Sequence, residues 1–309
     1  MGGVMMRKKK QEVSNRVGLA PEDKILNVVI YTVMSALMVI IIYPLIYILS
    51  SSFSSGDAVT SGKVLLWPVE FSTTGYKIIF SYSRVWQGYW NTIIYTVAGT
   101  TLNVLLTTMA AYPMARRDLY GKNVYMTFFM IIMFFSGGMI PNYILMVKTK
   151  LIETRWSVIL SGGLSVTNMI IMRTFFQNSI PADLFDAARI DGVSDLGYLF
   201  KIILPLSKAI FSVITLYYGV GRWNTYFTSM MYIHDRDKYA LQVVLRDILS
   251  ASRIDLSAIQ DAESLAAVIG ASDLVKYALI VVATVPVLVV YPFVQKYFEK
   301  GVMIGSVKG

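Results

Sequence analysis

Residues Ile25 to Leu49 read ILNVVIYTVMSALMVIIIYPLIYIL, and this stretch decides the solvent in which the chain folds. Crossing the roughly 30 Å hydrocarbon core of a bilayer takes about 20 mostly apolar residues in a helix, because lipid offers no partner to an exposed backbone amide. The stretch reaches that length. Arg7-Lys8-Lys9-Lys10 upstream lend it the outline of a secretory signal, but a signal carries only roughly 7 to 15 apolar residues before a small-residue cleavage site. The run is therefore read as a retained first membrane helix, preceded by a cytoplasmic segment at residues 1–24.

The whole composition points the same way. Over 309 residues the chain is 55% hydrophobic and 15% charged, with a mean hydropathy of +0.57, too apolar for an ordinary soluble domain. Its formal charge of +9 is scattered between apolar blocks and forms no basic stripe with interleaved aromatics, so nucleic acid is not an expected partner; membrane lipid is. The absence of cysteine excludes disulfide frameworks, thiolate metal sites and cysteine nucleophiles.

Five further segments follow the first: Tyr89 to Met114, Val124 to Val147, Trp156 to Phe176, Ile210 to Trp223 and Leu274 to Phe298. Ser161-Gly162-Gly163 and Thr167-Asn168 interrupt the fourth; the fifth is short, with an earlier start near Ile202 left open. The expectation is an all-α integral membrane protein whose six transmembrane helices occupy residues 25–298. Lysine and arginine are retained on the cytoplasmic side, so Arg7 to Lys10 place the amino end inside. Six crossings then return the tail, residues 299–309, to the same side, in keeping with Lys296, Lys300 and Lys308; Arg116, Arg117 and Lys122 also fall inside. Lys148, Lys150 and Arg155 run against the rule. Two outer loops are long, Ser50 to Gly88 and Asn224 to Asp273. In the second, Leu241, Val244, Leu245, Ile248 and Leu249 recur at helical spacing, predicting a short amphipathic helix against the membrane surface, a partner or the protein itself.

Between the fourth and fifth spans, within the loop 178–205, lies Ser179-Ile-Pro-Ala-Asp-Leu-Phe-Asp-Ala-Ala-Arg-Ile-Asp-Gly192. Ser179 is suited to cap a helix, Pro181 to occupy a first turn, and Gly192 to take the left-handed conformation that ends one. Ser194 then caps a second helix, with Leu196, Leu199, Phe200 and Ile203 as its apolar face, before Leu204-Pro205. Two short helices joined at glycine make a knuckle, and Ala187-Ala188 leave one side shallow for a partner.

Here the chain resembles the permease subunits of binding-protein-dependent ABC importers, whose cytoplasmic signature reads Glu-Ala-Ala, three residues, Gly, nine residues, then Ile, any residue, Leu-Pro. Asp186-Ala187-Ala188, Gly192 and Ile202-Ile203-Leu204-Pro205 match it at the expected spacing. Asp186 departs from the usual glutamate, and Ala209 stands where proline is frequent. The resemblance extends over nearly the whole chain and is nearest the carbohydrate-uptake, MalG-like branch of LplC type. Phe135 to Pro141, Ile171 to Phe176, Trp223-Asn224 and Gly301 to Gly309 carry that part of it.

The resemblance implies the type I importer permease fold with a cytoplasmic coupling helix, in the bacterial cytoplasmic membrane. Asp186, Ala187, Ala188, Asp191, Gly192, Leu204 and Pro205 would engage a separate ATPase, with Asp186 and Asp191 meeting donors there. The implied partners are a second homologous permease, two ATPase subunits, an extracellular solute-binding protein and a carbohydrate substrate. The chain has no G-x-x-x-x-G-K-[ST] phosphate loop, so it is not expected to hydrolyse ATP; ATP and Mg belong to the ATPase subunits, and no cofactor or metal is expected in this chain. Loop 224–273 is a candidate contact for the binding protein. Asn142, Ser161, Ser165, Asn168, Tyr217, Tyr218 and Asn224 are candidates to line a sugar path, with helix packing as the competing reading for each. Arg173 sits where it can snorkel to water and is not a proposed sugar ligand. His234 is the only histidine, without ligands nearby, which disfavours an intramembrane enzyme. The spans carry almost no carboxylates, which disfavours a secondary transporter.

Overall fold

The computed structural model describes residues 21–181, 183–251, 270 and 272–292, and among them every regular element is helical. The basic amino terminus, the tail 299–309 and the stretch 252–269 of the second outer loop lie outside the described residues. Two compact units divide the chain, one ending at Tyr47 and one starting at Ile48. The first is the greater part of one helix, α1 (Pro21–Ser52), 32 residues long. At 1.5 Å per residue this is about 48 Å, more than a bilayer core requires.

The second unit opens with two short helices, α2 (Gly56–Thr60) and α3 (Thr74–Ser81), so the stretch expected as the first outer loop is structured. Its spine is α4 (Ser83–Ala115), 33 residues. The buried face of α4 includes Asn91, Thr92, Gly99, Thr100, Asn103, Thr107 and Thr108, whereas Ile93, Val97, Leu105 and Met109 are exposed. That inverts the pattern of a helix in water. In lipid, apolar side chains gain nothing by leaving the surface, and small polar residues let backbones approach and bond to one another. Trp86 and Trp90, exposed in its first turns, suit the aromatic level of a membrane interface.

The next predicted spans are not continuous helices. Val124 to Val147 folds as α5 (Lys122–Phe134) and α6 (Met139–Lys148), bent by 108°. The break falls at Phe135-Ser136-Gly137-Gly138, where Gly138 takes φ +85°. Trp156 to Phe176 folds as α7 (Arg155–Leu160) and α8 (Val166–Ser179), parted at Gly162, φ +65°. The weak apolar character at Ser161-Gly162-Gly163 is thus a real break. The knuckle helices α9 (Asp183–Ile190) and α10 (Asp195–Tyr198) lead through a π-turn at Leu199–Ile203 to α11 (Leu204–Leu206). The chain then turns by 85° into α12 (Lys208–Trp223). Pro205 has no N–H to continue the backbone ladder, and the wide turn immediately before it follows from that loss.

Beyond α12 come α13 (Phe227–Tyr232), α14 (Leu241–Ala251) and α15 (Ser272–Pro292). By length and apolar content three described helices suffice to cross a membrane, or up to five if each bent pair is one span. The amphipathic α14 packs on its own protein. Leu241, Val244 and Leu245 join Val85, Trp223, Val275 and Leu279 in one buried cluster, and Leu241 lies against Gly88 of α4.

Candidate functional site

The knuckle is set by its caps. Ile180 precedes Pro181, is disfavoured as helix, and is extended, so α8 ends there. Ser179 is therefore the last residue of α8 and does not cap α9, and Pro181 lies between the helices; both differ from expectation. The carboxyl end of α9 behaves as predicted. Gly192 adopts φ +70°, its N–H donates to Arg189 O at 3.1 Å and that of Val193 to Ala188 O at 2.9 Å, the paired bonds of a Schellman close. Ser194 Oγ accepts from Gly197 N at 3.2 Å and caps α10.

The two alanines part company. Ala187 is exposed, but Ala188 is only 5% exposed and packs inward in a cluster with Tyr112, Phe176, Tyr198, Leu199 and Ile203. Ala188 thus belongs to the chain's own core and is not part of a shallow outer face. The expected apolar face of the second helix splits likewise: Leu199 and Ile203 are buried, Leu196 and Phe200 are exposed. Leu196 and Phe200, together with Ile190 at 87% exposed, are large apolar side chains that the knuckle leaves uncovered as its crest, and Asp183, Asp186 and Asp191 are exposed as well. Leu204 is half-buried and Pro205 exposed.

Beside this core, one residue at the end of α4 reaches both knuckle helices. Arg116, which caps the carboxyl end of α4, donates through Nη1 to Asp195 Oδ1 at 2.5 Å and grips Asp118 through Nε and Nη2 at 2.8 and 2.5 Å. Its guanidinium also lies 4.4 Å from the ring centroid of Phe185 on α9. Phe185 meets Tyr198 edge-on at 5.2 Å, and Tyr112 Oη donates to Asp195 O at 3.1 Å. Hydrogen bonding from Arg116 holds the Asp118 carboxyl below the usual carboxylate range, and the carboxylate partners hold Arg116 above its ordinary value. Behind the knuckle lies a cavity of about 580 Å³ bordered by Arg117, Asn178, Asp186 and Arg189.

A second polar cluster lies inside the helices. Arg222, 7% exposed, donates to Val158 O at 2.6 Å and to Asn103 Oδ1 at 2.7 Å. Asn103 in turn donates to Gly162 O at 2.8 Å, so the α7–α8 break is tied to α4 and α12. Tyr218 Oη bonds Thr107 Oγ1 at 2.7 Å and accepts from Ser165 N at 3.0 Å. Among the proposed path residues, Ser165 and Tyr218 thus bond directly to each other. Ser161 and Asn168 flank the same break, while Asn142, Tyr217 and Asn224 are exposed elsewhere.

Arg116 and Arg222 carry more of the geometry than any residue picked from the sequence. Arg116 reads as one more cytoplasmic charge. Arg222 had a signal: it is a charged residue within an otherwise apolar stretch, and such residues are costly enough to demand a role.

The ends of α4 sort the loops. Arg116, Tyr112 and the knuckle share one end. At the other, Asn91 Nδ2 donates to Asp237 O at 2.8 Å and Tyr95 Oη to Lys238 O at 2.7 Å. Glu153 accepts there from the backbone N–H groups of His234 and Asp235, at 3.0 and 3.2 Å, and meets the His234 ring. Arg155, which runs against the charge rule, belongs to this end, its Nη2 donating to Asn91 Oδ1 at 3.1 Å. Partial burial opposes ionisation of Glu153, but the His234 ring and those two backbone donors outweigh it and hold its carboxyl below the usual range.

Long apolar helices, with a short capped helical segment clamped to the end of one of them, define an integral membrane protein. Residues 104–304 match the family described as binding-protein-dependent transport system inner membrane component, and the chain belongs to that family, one of transport subunits rather than enzymes. It is 39% identical over 291 residues, 93% of this chain and 100% of the relative, to the polygalacturonan/rhamnogalacturonan transport system permease protein YtcP of Bacillus subtilis (strain 168). Protein LplC of the same organism is 38% identical over 270 residues, 87% of this chain and 90% of the relative. A solved bacterial ABC transporter involved in import of the acidic polysaccharide alginate superposes with a TM-score of 0.79 at 34% identity, covering 91% of this chain and 99% of that one.

Proposed function

We propose that this chain forms half of the translocation pathway of an ABC importer, carrying oligosaccharides released from an acidic polysaccharide. In this reading it crosses the membrane six times with both ends inside, α5 with α6 and α7 with α8 each making one broken pass. The single observation that carries the reading is the family match, which spans the knuckle and the helices it is clamped to. The cargo class rests on the similarity to transporters for polygalacturonan/rhamnogalacturonan and for alginate.

The knuckle is the coupling helix. Ile190, Leu196 and Phe200 offer apolar area to a groove on an ATPase subunit, Ala187 permits close approach, and Asp183, Asp186 and Asp191 meet donors there. The ATPase subunits bind ATP and Mg. Closing and opening of their dimer biases a two-state membrane assembly, and sugar handed over by an external binding protein moves with the exposed cavity. A second permease supplies the other wall. The outer loop, held at Asn91 and Tyr95, faces the binding protein, and Asn142, Tyr217 and Asn224 remain candidates for the path.

The test is reconstitution. The complex purified from its host, placed in proteoliposomes with its binding protein, takes up oligogalacturonides in an ATP-dependent way. Ile190→Asp, which puts a charge on the apolar crest, abolishes both uptake and retention of the ATPase. Retention of the ATPase by that variant would refute the coupling role of the knuckle, and uptake of neutral oligosaccharides alone would refute the acidic cargo.

A further inference from the structure

The knuckle is joined to the membrane helices covalently at two places, and both joints are bent. From α8 the chain enters α9 through the non-helical Ile180-Pro181 step. Towards α12 it leaves through a π-turn and an 85° bend at Ser207. Neither joint continues a helix axis, so neither offers a straight covalent path between the membrane helices and the knuckle. The unbroken path is a different one. Helix α4 runs continuously from Ser83 to Ala115, with Pro113 in its last turn, and is tied at each end to an element distant in sequence.

At its inner end Arg116 reaches both knuckle helices, bonding Asp195 of α10 and covering Phe185 of α9, while Tyr112 takes Asp195 O. At its outer end three consecutive inward positions hold the second outer loop. Asn91 donates to Asp237 O and Tyr239 O, Tyr95 donates to Lys238 O, and Thr92 Oγ1 accepts from Leu241 N at 2.8 Å. These bonds fix the segment from Asp237 to Tyr239 and the first residue of α14, Leu241. From Asn91 to Arg116 a helix at 1.5 Å per residue spans about 38 Å, more than the roughly 30 Å hydrocarbon core of a bilayer.

We propose that α4 is the strut that carries the state of the outer loop to the coupling knuckle, with Asn91 and Tyr95 as its outer clamp and Arg116 as its inner clamp. None of these side chains lies on the crest offered to the ATPase, so each acts as a positioning residue through α4. The proposal rests on the coupling role of the knuckle, and it differs from that role in what it predicts: binding of the ATPase survives, and the response to the loaded binding protein does not.

Stimulation of ATP hydrolysis by the binding protein loaded with oligogalacturonide is measured on the whole complex in nanodiscs, beside basal hydrolysis and ATPase retention. Tyr95→Phe removes one hydroxyl, Asn91→Leu the amide, and Arg116→Lys the forked geometry while keeping the charge. Each is expected to keep basal hydrolysis and ATPase retention while stimulation falls about tenfold. Because one rod connects the clamps, Asn91→Leu combined with Arg116→Lys should lose no more than either alone. A double variant that loses the product of the two single effects would mean two independent routes, and would overturn the strut. So would full stimulation in Tyr95→Phe and Arg116→Lys, the two variants least able to disturb folding. Loss of ATPase retention in Ile190→Asp with full stimulation in all clamp variants would leave the coupling role standing and remove the strut alone.

Discussion

The two neighbouring alanines of the knuckle should answer differently to the same leucine. Ala188 is 5% exposed and sits among Phe176, Tyr198, Leu199 and Ile203, so Ala188→Leu forces three extra carbons into a filled core. Overpacking of this kind costs about 1–3 kcal/mol. For a chain of this size each kcal/mol moves a melting midpoint by about 2–4 °C. Ala187 points outward from the same turn, and Ala187→Leu should leave stability within about 0.5 kcal/mol, as exposed substitutions do. Its effect belongs to docking: a leucine wedged into a close helix-to-groove contact that costs even about 1.4 kcal/mol lowers ATPase affinity tenfold.

The assay pairs a thermal melt of the detergent-solubilised chain with retention of the ATPase on the affinity-purified permease. Ala188→Leu should melt early, and whatever remains folded should still hold the ATPase; Ala187→Leu should melt with the parent and release it. An Ala188→Leu chain that melts with the parent, or an Ala187→Leu chain that holds the ATPase undiminished, would show that the inward and outward faces of α9 have been assigned the wrong way round.

Arg222→Met removes two charge-assisted bonds and strands Asn103 Oδ1 and Val158 O, for an expected loss of about 2–4 kcal/mol in a melt; an unchanged midpoint would mean the cluster is idle. Gly99→Ala should reproduce much of that loss, since a Cβ there would stand 2.8 Å from the pinned Arg222 Nε, whereas Gly192→Ala meets no atom within 4 Å and should cost only about 1 kcal/mol for its φ of +70°. The Asp118 carboxyl is held below its ordinary value by Arg116, so its contribution is full above the ordinary carboxylate range and is lost as pH falls from that range through the lowered folded-state value. The gap in melting midpoint between the parent and Asp118→Asn should therefore narrow as pH falls below the usual aspartate value of about 4. A gap that is constant over that range would show that the ion pair does not contribute.

Much of this arrangement is legible in the sequence where a residue type admits one backbone solution. Gly192 could be assigned its left-handed turn because the helix before it must stop and few other residues stop it so cheaply, and Ser194 its cap for the complementary reason. Leu-Pro fixes the exit of the knuckle in the same way. What escaped reading is what depends on facing. Ala187 and Ala188 are chemically identical, and only the packing of α9 on Tyr198 and Phe176 decides which is outside. Ser179 looked like an amino-terminal cap because capping residues have the same appearance wherever they stand; Pro181, two positions on, ends α8 instead. Hydropathy sums recognised α1 and α15 and weakened at Ser161-Gly162-Gly163, but averaged over Gly138, where a span can remain apolar while its backbone breaks.

Helix α4 shows why the strongest element was also the least readable. In water its buried stripe of Asn91, Thr92, Gly99, Thr100, Asn103, Thr107 and Thr108 would be taken for a solvent face. Within lipid the same stripe marks the side on which other backbones are held, because its polar side chains satisfy exposed carbonyls of the broken α7–α8 pair and of the loop at Asp237 to Lys238. The breaks and the straight rod therefore have linked causes. A span interrupted at Gly162 needs a donor such as Asn103 to complete its hydrogen bonding, and Asn103 can be supplied at a fixed height only by a helix that does not itself bend. In this chain Gly162 locates the broken pair, and the polar stripe locates the unbroken helix to which that pair is bonded.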